Sequence, residues 1–255
     1  MTEPVRVEVD GRPATAGQLA VPGPASYGHF TAMQVRGGRV RRLDLHLARL
    51  DAQTRELFGT GLPGELVRER IRQALRDLAD ASLRVTVFRL PGATQVSTMV
   101  IVRPPVEPPT GPVRLLAVAY QRPLAQIKHT GTFGQIHYGE LARAKGYDDA
   151  LLTTVDGVIS ETSTANIGFL DDAGVLWPDA PLLLGTTMQL LEDGPLPTRR
   201  APVRLADLPR LRGAFVANSI GVTPVSTVDD LDLPLTDDRL AALRRRWSAV
   251  PTDEI

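Results

Sequence analysis

The chain contains no cysteine. That excludes disulfides, thiolate metal ligands and a cysteine nucleophile together. Lysine is nearly as scarce: among 29 Lys and Arg residues, only Lys128 and Lys145 are lysines. The four histidines are scattered, with no metal-ligand spacing and no HExxH pair. Formal net charge is zero, which removes the electrostatic case for nucleic acid or an anionic membrane as partner. No apolar run is long enough to span a bilayer, and the opening "MTEPVRVEVDG" lacks the pattern of a signal peptide. What is present is ordinary: 255 residues, 43% hydrophobic and 23% charged, enough to bury one large core or two modest ones. The expectation is a cytoplasmic enzyme acting on small molecules.

Along the chain, "VRVEVDGRPAT" alternates into an Asp-Gly turn and predicts a hairpin. The Pro/Gly-rich "VPGPASYG" follows, then strand pattern on both sides of Gly37-Gly38. Leu43, Leu47, Leu50 and Leu57 predict a helix ending at Gly59, and Leu66, Val67, Ile71, Leu75 and Leu78 a second one. "LRVTVFRL", "VSTMVIVRP" and "VRLLAVAYQ" read as strands, the last two separated by the proline-heavy loop "PPVEPPTGP". These place an N-terminal small α+β domain over 1–122, a linker "PLAQ" over 123–126, and a C-terminal domain over 127–255. In the second, a helix closed by Gly146 precedes three predicted strands of an antiparallel meander. "LLLGTTMQLLEDG" reads as a turn into a short helix, and "GAFVANSIGVTPV" as strand. Thr236 is the expected N-cap of a terminal helix.

Four features carry chemistry. Lys128, in "AQIKHTGTFG", is an amine that burial can deprotonate, whereas guanidinium stays charged. Glu161, in "VISETSTAN", is a carboxylate within a strand; if it is buried, it needs a cationic partner. Gly185, Thr186 and Thr187 at a helix start, with Ser219 in the turn "ANSIG", could face an anion. Arg49, in "LHLARL", lies off the leucine stripe and would matter if its flank met a phosphate. Each has a bland alternative: a surface lysine, a solvent-facing glutamate, ligand-free turns and a solvated arginine.

Taken in order, "IKHTGTFG…GYDDALLTTVDGVISETSTANIGFL…LLLGTTMQ…ANSIGVTPV" resembles the class IV, fold-type IV pyridoxal phosphate enzymes. These comprise the branched-chain and D-amino acid aminotransferases and aminodeoxychorismate lyase. The resemblance runs from about residue 28 to 228 and is strongest from Lys128 to Asn166. It implies an α+β fold of two domains with the site between them, the smaller lobe N-terminal and the larger, β-rich lobe C-terminal. It implies pyridoxal 5'-phosphate held by Lys128 as a Schiff base, with Glu161 on the ring nitrogen and Arg49, Thr186, Thr187 and Ser219 on the phosphate. It also implies a homodimer acting on amino and keto acids.

Some family positions differ here. "SYGHFTAM" has His29 and Thr31 where aminotransferases often carry an acid; Phe-Thr there and "IKH" at the lysine are features of the lyase branch. Phe133 stands where the branched-chain enzymes have tyrosine, which leans away from that branch. The Arg-x-His by which D-amino acid transaminases hold the substrate carboxylate is absent, so Thr31, Arg84 and Arg89 are the substrate-binding candidates. The leading expectation is transamination between an amino acid and a 2-oxo acid. The rivals are release of pyruvate and 4-aminobenzoate from aminodeoxychorismate, and a non-catalytic protein that keeps the fold.

Overall fold

A computed structural model describes residues 3–20 and 27–255, so most of the Pro/Gly-rich stretch, residues 21–26, lies outside the described residues. The chain divides into two compact units. The first takes residues 1–107, 127–131 and 251–255; the second takes 108–126 and 132–250. This differs from a division at 122–127: the strand 113–119 belongs to the second unit, while Lys128 and the last five residues return to the first.

The first unit is built on a seven-stranded sheet. Its strands are β1 (Arg6–Val9), β2 (Arg12–Pro13), β3 (Gly28–Arg36), β4 (Arg39–Arg41), β5 (Ala81–Phe88), β6 (Ser97–Arg103) and a C-terminal strand, Thr252–Glu254. All the pairings are antiparallel, in the order Thr252–Glu254, β4, β3, β5, β6, β1, β2. The predicted Asp-Gly turn joins β1 to β2, with Asp10 at φ 51° and Gly11 at φ 76°. Helix α1 (Ala16–Ala20) buries nothing. Helices α2 (Leu43–Phe58) and α3 (Gly64–Leu75) cover one sheet face. There Leu43, Leu50, Val67 and Ile71 meet Met33, Val35, Leu83, Val85, Val100 and Val102 in one core. Leu78 lies beyond the end of α3, which closes at Arg76 with φ 52°.

The buried stripe of α2 keeps Leu43 and Leu50 of the leucine stripe seen in the sequence but adds polar residues to it. Its buried residues are Leu43, His46, Leu50, Gln53 and Thr54, while Leu47 is only partly buried. Polar side chains on a core face must find partners, and His46 and Thr54 find theirs on β3.

The second unit contains a nine-stranded sheet. It comprises β7 (Val113–Ala119), β8 (Asp149–Thr153), β9 (Ile159–Thr162), β10 (Asn166–Asp171), β11 (Gly174–Pro178), β12 (Thr198–Ala201), β13 (Gly213–Asn218), β14 (Gly221–Val228) and β15 (Leu231–Asp232). The order β10, β13, β14, β7, β8, β9 closes on itself where β9 pairs β10, forming a barrel. Leu115, Leu151, Ile159, Ile167, Phe169 and Val225 share one core. Helices α5 (Thr186–Glu192) and α6 (Asp238–Ala249) pack around Trp177 and Phe215 in another. Helix α4 (Phe133–Ala144) lies against β8 and ends before Gly146, at φ 83°.

Two sequence expectations need correction here. The meander expected as three strands has four, because residues 163–165 form a turn between β9 and β10. Thr162 Oγ1 closes it by accepting the amide of Ala165 at 2.9 Å, a hydroxyl turn with neither Gly nor Pro to announce it. The cap of α6 is Asp237, whose carboxylate accepts the Arg239 amide at 2.9 Å, not Thr236.

Candidate active site

In the first unit, Lys128 lies in a segment that pairs with the start of β3. Phe30 N donates to Lys128 O at 2.9 Å, Thr130 N donates to Gly28 O at 2.9 Å, and His29 and His129 form a bridge. From the helix side, Gln53 Oε1 accepts the Lys128 amide at 3.2 Å. The backbone that carries the amine is therefore gripped by both β3 and α2. Its Nζ sits 5.0 Å from the centroid of the Phe30 ring.

Arg84 approaches the same ring, with Cζ 3.6 Å from its centroid. Burial, then the neighbouring Arg103, lower its pKa to about 10, so it is still cationic at neutral pH. Arg89 is placed differently. Its Nη2 donates to Phe58 O at 3.0 Å, closing the C-terminal turn of α2.

Arg49 also belongs to this unit. Its Nη2 donates to Thr31 Oγ1 at 2.5 Å, and its buried Nε has no partner. Among the described residues no carboxylate pairs with it. Burial lowers its pKa to about 10, which leaves it charged at neutral pH. A desolvated cation without a counter-ion is costly, and a phosphate dianion is a matching partner. Thr31 is fully buried, and its hydroxyl is engaged by Arg49 and by His46.

In the second unit, Glu161 is 6% exposed and sits where β9 meets β10, opposite Asn166. Its Oε1 accepts from Arg122 Nε at 2.9 Å, and its Oε2 accepts from Leu183 N at 3.3 Å. Arg122 is itself 4% exposed and also donates through Nη2 to Ala125 O. The stretch read as a linker is therefore an ordered turn, with Leu124 at φ 47° between Arg122 and the Ala125 carbonyl that it grips. Arg122 went unrecognised in the sequence. The only available signal was that a buried Glu161 would demand a cation.

The remaining candidates gather on the same side of the second unit. Asn166 Nδ2 donates to Leu183 O at 2.8 Å, and a Cβ on Gly185 would meet Asn166 Oδ1 at 2.1 Å. Only glycine admits that approach. Thr186 and Thr187 follow at the start of α5, both buried. Thr187 Oγ1 donates to Asn218 O at 2.7 Å, which ties the helix start to the turn holding half-buried Ser219. So Glu161, Thr186, Thr187 and Ser219 are linked through Leu183, Asn166 and Asn218, whereas Lys128, Arg49, Thr31 and Arg84 belong to the first unit.

The donor set fits pyridoxal phosphate. It offers an amine, an arginine with no acid partner, and a carboxylate whose bonds to Arg122 and Leu183 leave acceptor positions unused.

Comparison with known proteins identifies the family and the fold. The sequence pattern of the family described as "Amino-transferase class IV" matches residues 28–228. A curated relative from Rickettsia felis, named "Probable branched-chain-amino-acid aminotransferase", is 32% identical over 97 residues, covering 36% of this chain and 33% of that protein. The match thus spans about a third of that relative's length. Among solved structures, a branched-chain aminotransferase from Thermoproteus uzoniensis with norvaline superposes with a TM-score of 0.82 at 21% identity, covering 96% of this chain and 94% of that one. A hypothetical aminotransferase from Mycobacterium tuberculosis in its PLP-bound form gives 0.79 at 22% identity, covering 94% and 97%. At these identities the structural likeness establishes the fold.

Proposed function

From the premise that the chain belongs to the class IV aminotransferases, we propose that it is a pyridoxal phosphate enzyme moving an amino group between an amino acid and a 2-oxo acid. Lys128 holds the cofactor's aldehyde carbon, Arg49, Thr186, Thr187 and Ser219 its phosphate, and Glu161 its ring nitrogen. Thr187 contributes its backbone amide, because its hydroxyl proton is committed to Asn218. When bound, pyridoxal phosphate supplies an electron sink for a carbanion at the substrate's Cα. The Lys128 amine would serve as the base that removes the Cα proton and later returns one. Arg122 fixes the Glu161 carboxylate so that it meets the ring nitrogen without rearranging. Arg84, stacked on the ring that also neighbours Lys128, holds the substrate carboxylate; Arg89, spent on the end of α2, does not. The protein works in the cytoplasm as a homodimer.

The observation that carries this reading is the buried Arg122–Glu161 pair. A buried ion pair commonly gives no more stability than apolar residues of the same volume, so a protein that only kept the fold would have no need of it. The purified protein should show a visible absorption band that borohydride bleaches, with the label recovered on Lys128. It should also exchange amino groups between alanine or glutamate and 2-oxo acids. A protein that stays colourless with added cofactor defeats the proposal. A coloured protein that makes pyruvate and 4-aminobenzoate from aminodeoxychorismate, without amino exchange, is instead the lyase suggested by "IKH" and Phe30-Thr31.

A further inference from the structure

His46 is 2% exposed and Thr31 is fully buried, yet both are polar and they bond to one another. Thr31 Oγ1 lies 2.7 Å from His46 Nδ1 and accepts from Arg49 Nη2 at 2.5 Å. A guanidinium can only donate, so the Thr31 oxygen accepts from Arg49 and the hydroxyl's single proton is left for His46. His46 Nδ1 is then an acceptor, and the neutral ring carries its proton on Nε2. Burial first, then Arg49 and Lys128, push the His46 pKa well below the ordinary imidazole value, which agrees with a neutral ring.

We propose that Thr31 and His46 form a one-way hydrogen-bond relay that aims the Arg49 guanidinium at a phosphate group, His46 being a positioning residue. The proposal rests on the reading of Arg49 as a phosphate holder. A carboxylate in place of Thr31 would aim the guanidinium equally well but would neutralise it. A hydroxyl whose proton is drawn off by a buried imidazole aims it and leaves its charge for the ligand. The relay also joins two elements: Thr31 comes from β3, and His46 and Arg49 lie three residues apart on α2.

The test is calorimetric titration of the full-length cofactor-free protein with inorganic phosphate. Thr31→Val and His46→Ala should each weaken phosphate binding about tenfold, the loss expected for one charge-assisted bond, while Thr31→Ser stays within about twofold of the parent. Arg49→Ala should abolish the binding. If Arg49→Ala abolishes it but Thr31→Val and His46→Ala bind like the parent, the relay is overturned and the reading of Arg49 stands. If Arg49→Ala binds like the parent, the reading fails and the relay with it. Nitrogen NMR of the unsubstituted protein tests the relay without any variant: a proton on His46 Nε2 supports it, and a proton on Nδ1 overturns it.

Discussion

At the scale of single residues, the chemistry turns on what lysine and arginine can each do. On the proposed function, Lys128 must be able to lose a proton; Arg49, Arg84 and Arg122 must not. Lys128→Arg should keep the fold and abolish fixation of the cofactor by borohydride. Activity should fall by about 10²–10⁴-fold from loss of the general base alone. Arg122 permits a sharper test, because its partner is known. Arg122→Leu leaves the Glu161 carboxylate buried without its cation and should cost roughly 3–5 kcal/mol, read as a drop in denaturant midpoint. Adding Glu161→Leu should restore most of that stability while cofactor binding stays lost. If the double variant is no more stable than the single one, the pair is not coupled as described. Lys128, Glu161 and Arg49 could be singled out in the sequence because they stand in the order that resembles the family pattern, and their roles belong to the proposal. Arg122 was not, since nothing in "YQRPLAQ" distinguishes a buried guanidinium from a surface one.

At the scale of elements, hydrophobic periodicity located both main helices of the first unit and set Leu43 and Leu50 inward, but it missed the polar residues that share their face. Leucine spacing cannot reveal that His46, Gln53 and Thr54 are buried, because their inward position depends on partners in β3 and in the Lys128 segment. The start of α2 is similar. Arg42 there has φ 51° and provides no side-chain cap. The cap comes from the other end of the chain, where Asp253 Oδ2 accepts the Leu43 amide at 2.9 Å. Asp253→Ala should therefore destabilise the protein by about 1 kcal/mol, as loss of a local N-cap would, although the two residues lie at opposite ends of the sequence. A midpoint shift indistinguishable from zero would show that α2 needs no such cap. Gly185 tests the second unit in the same way. Gly185→Ala places a methyl 2.1 Å from Asn166 Oδ1, so Asn166 must give up its bond to Leu183. The expected cost is about 1–3 kcal/mol, together with weaker cofactor binding, because the same residue opens α5.

At the scale of the whole molecule, the order of the main elements was largely readable, whereas the short strands Thr198–Ala201, Leu231–Asp232 and Thr252–Glu254 and the parcelling of the chain were not. A boundary near 122 follows composition, but β7 is claimed by the parallel pairing it makes with β8 and β14, and long-range pairing leaves no local trace. The fold also builds in an acid response that sums over the molecule. His29 is fully buried, donating from Nε2 to Thr54 Oγ1 at 2.9 Å because the Thr54 proton goes to Leu50 O. Burial, then Arg49, lower its pKa to about 4. His46 is displaced in the same direction by burial, Arg49 and Lys128. Unfolded, both return to about 6.5. Between about pH 6.5 and pH 4 the unfolded chain binds protons that the folded chain refuses, so stability must fall as pH falls. The slope is up to about 1.4 kcal/mol per pH unit for each histidine, and the His29 contribution levels off below about pH 4, where the folded state also takes its proton. The carboxylates held below their usual range, Asp44, Asp51, Glu140, Asp172 and Asp237, act only at lower pH, because their unfolded reference is already 3.8, or 4.5 for Glu140. Denaturant melts at about pH 7.5 and 5.5 isolate the two histidines from these acids. The parent should be measurably less stable at the lower pH, and His29→Gln should shrink the difference to the part that His46 contributes. Equal midpoints at the two pH values would mean that neither imidazole is held neutral by the fold.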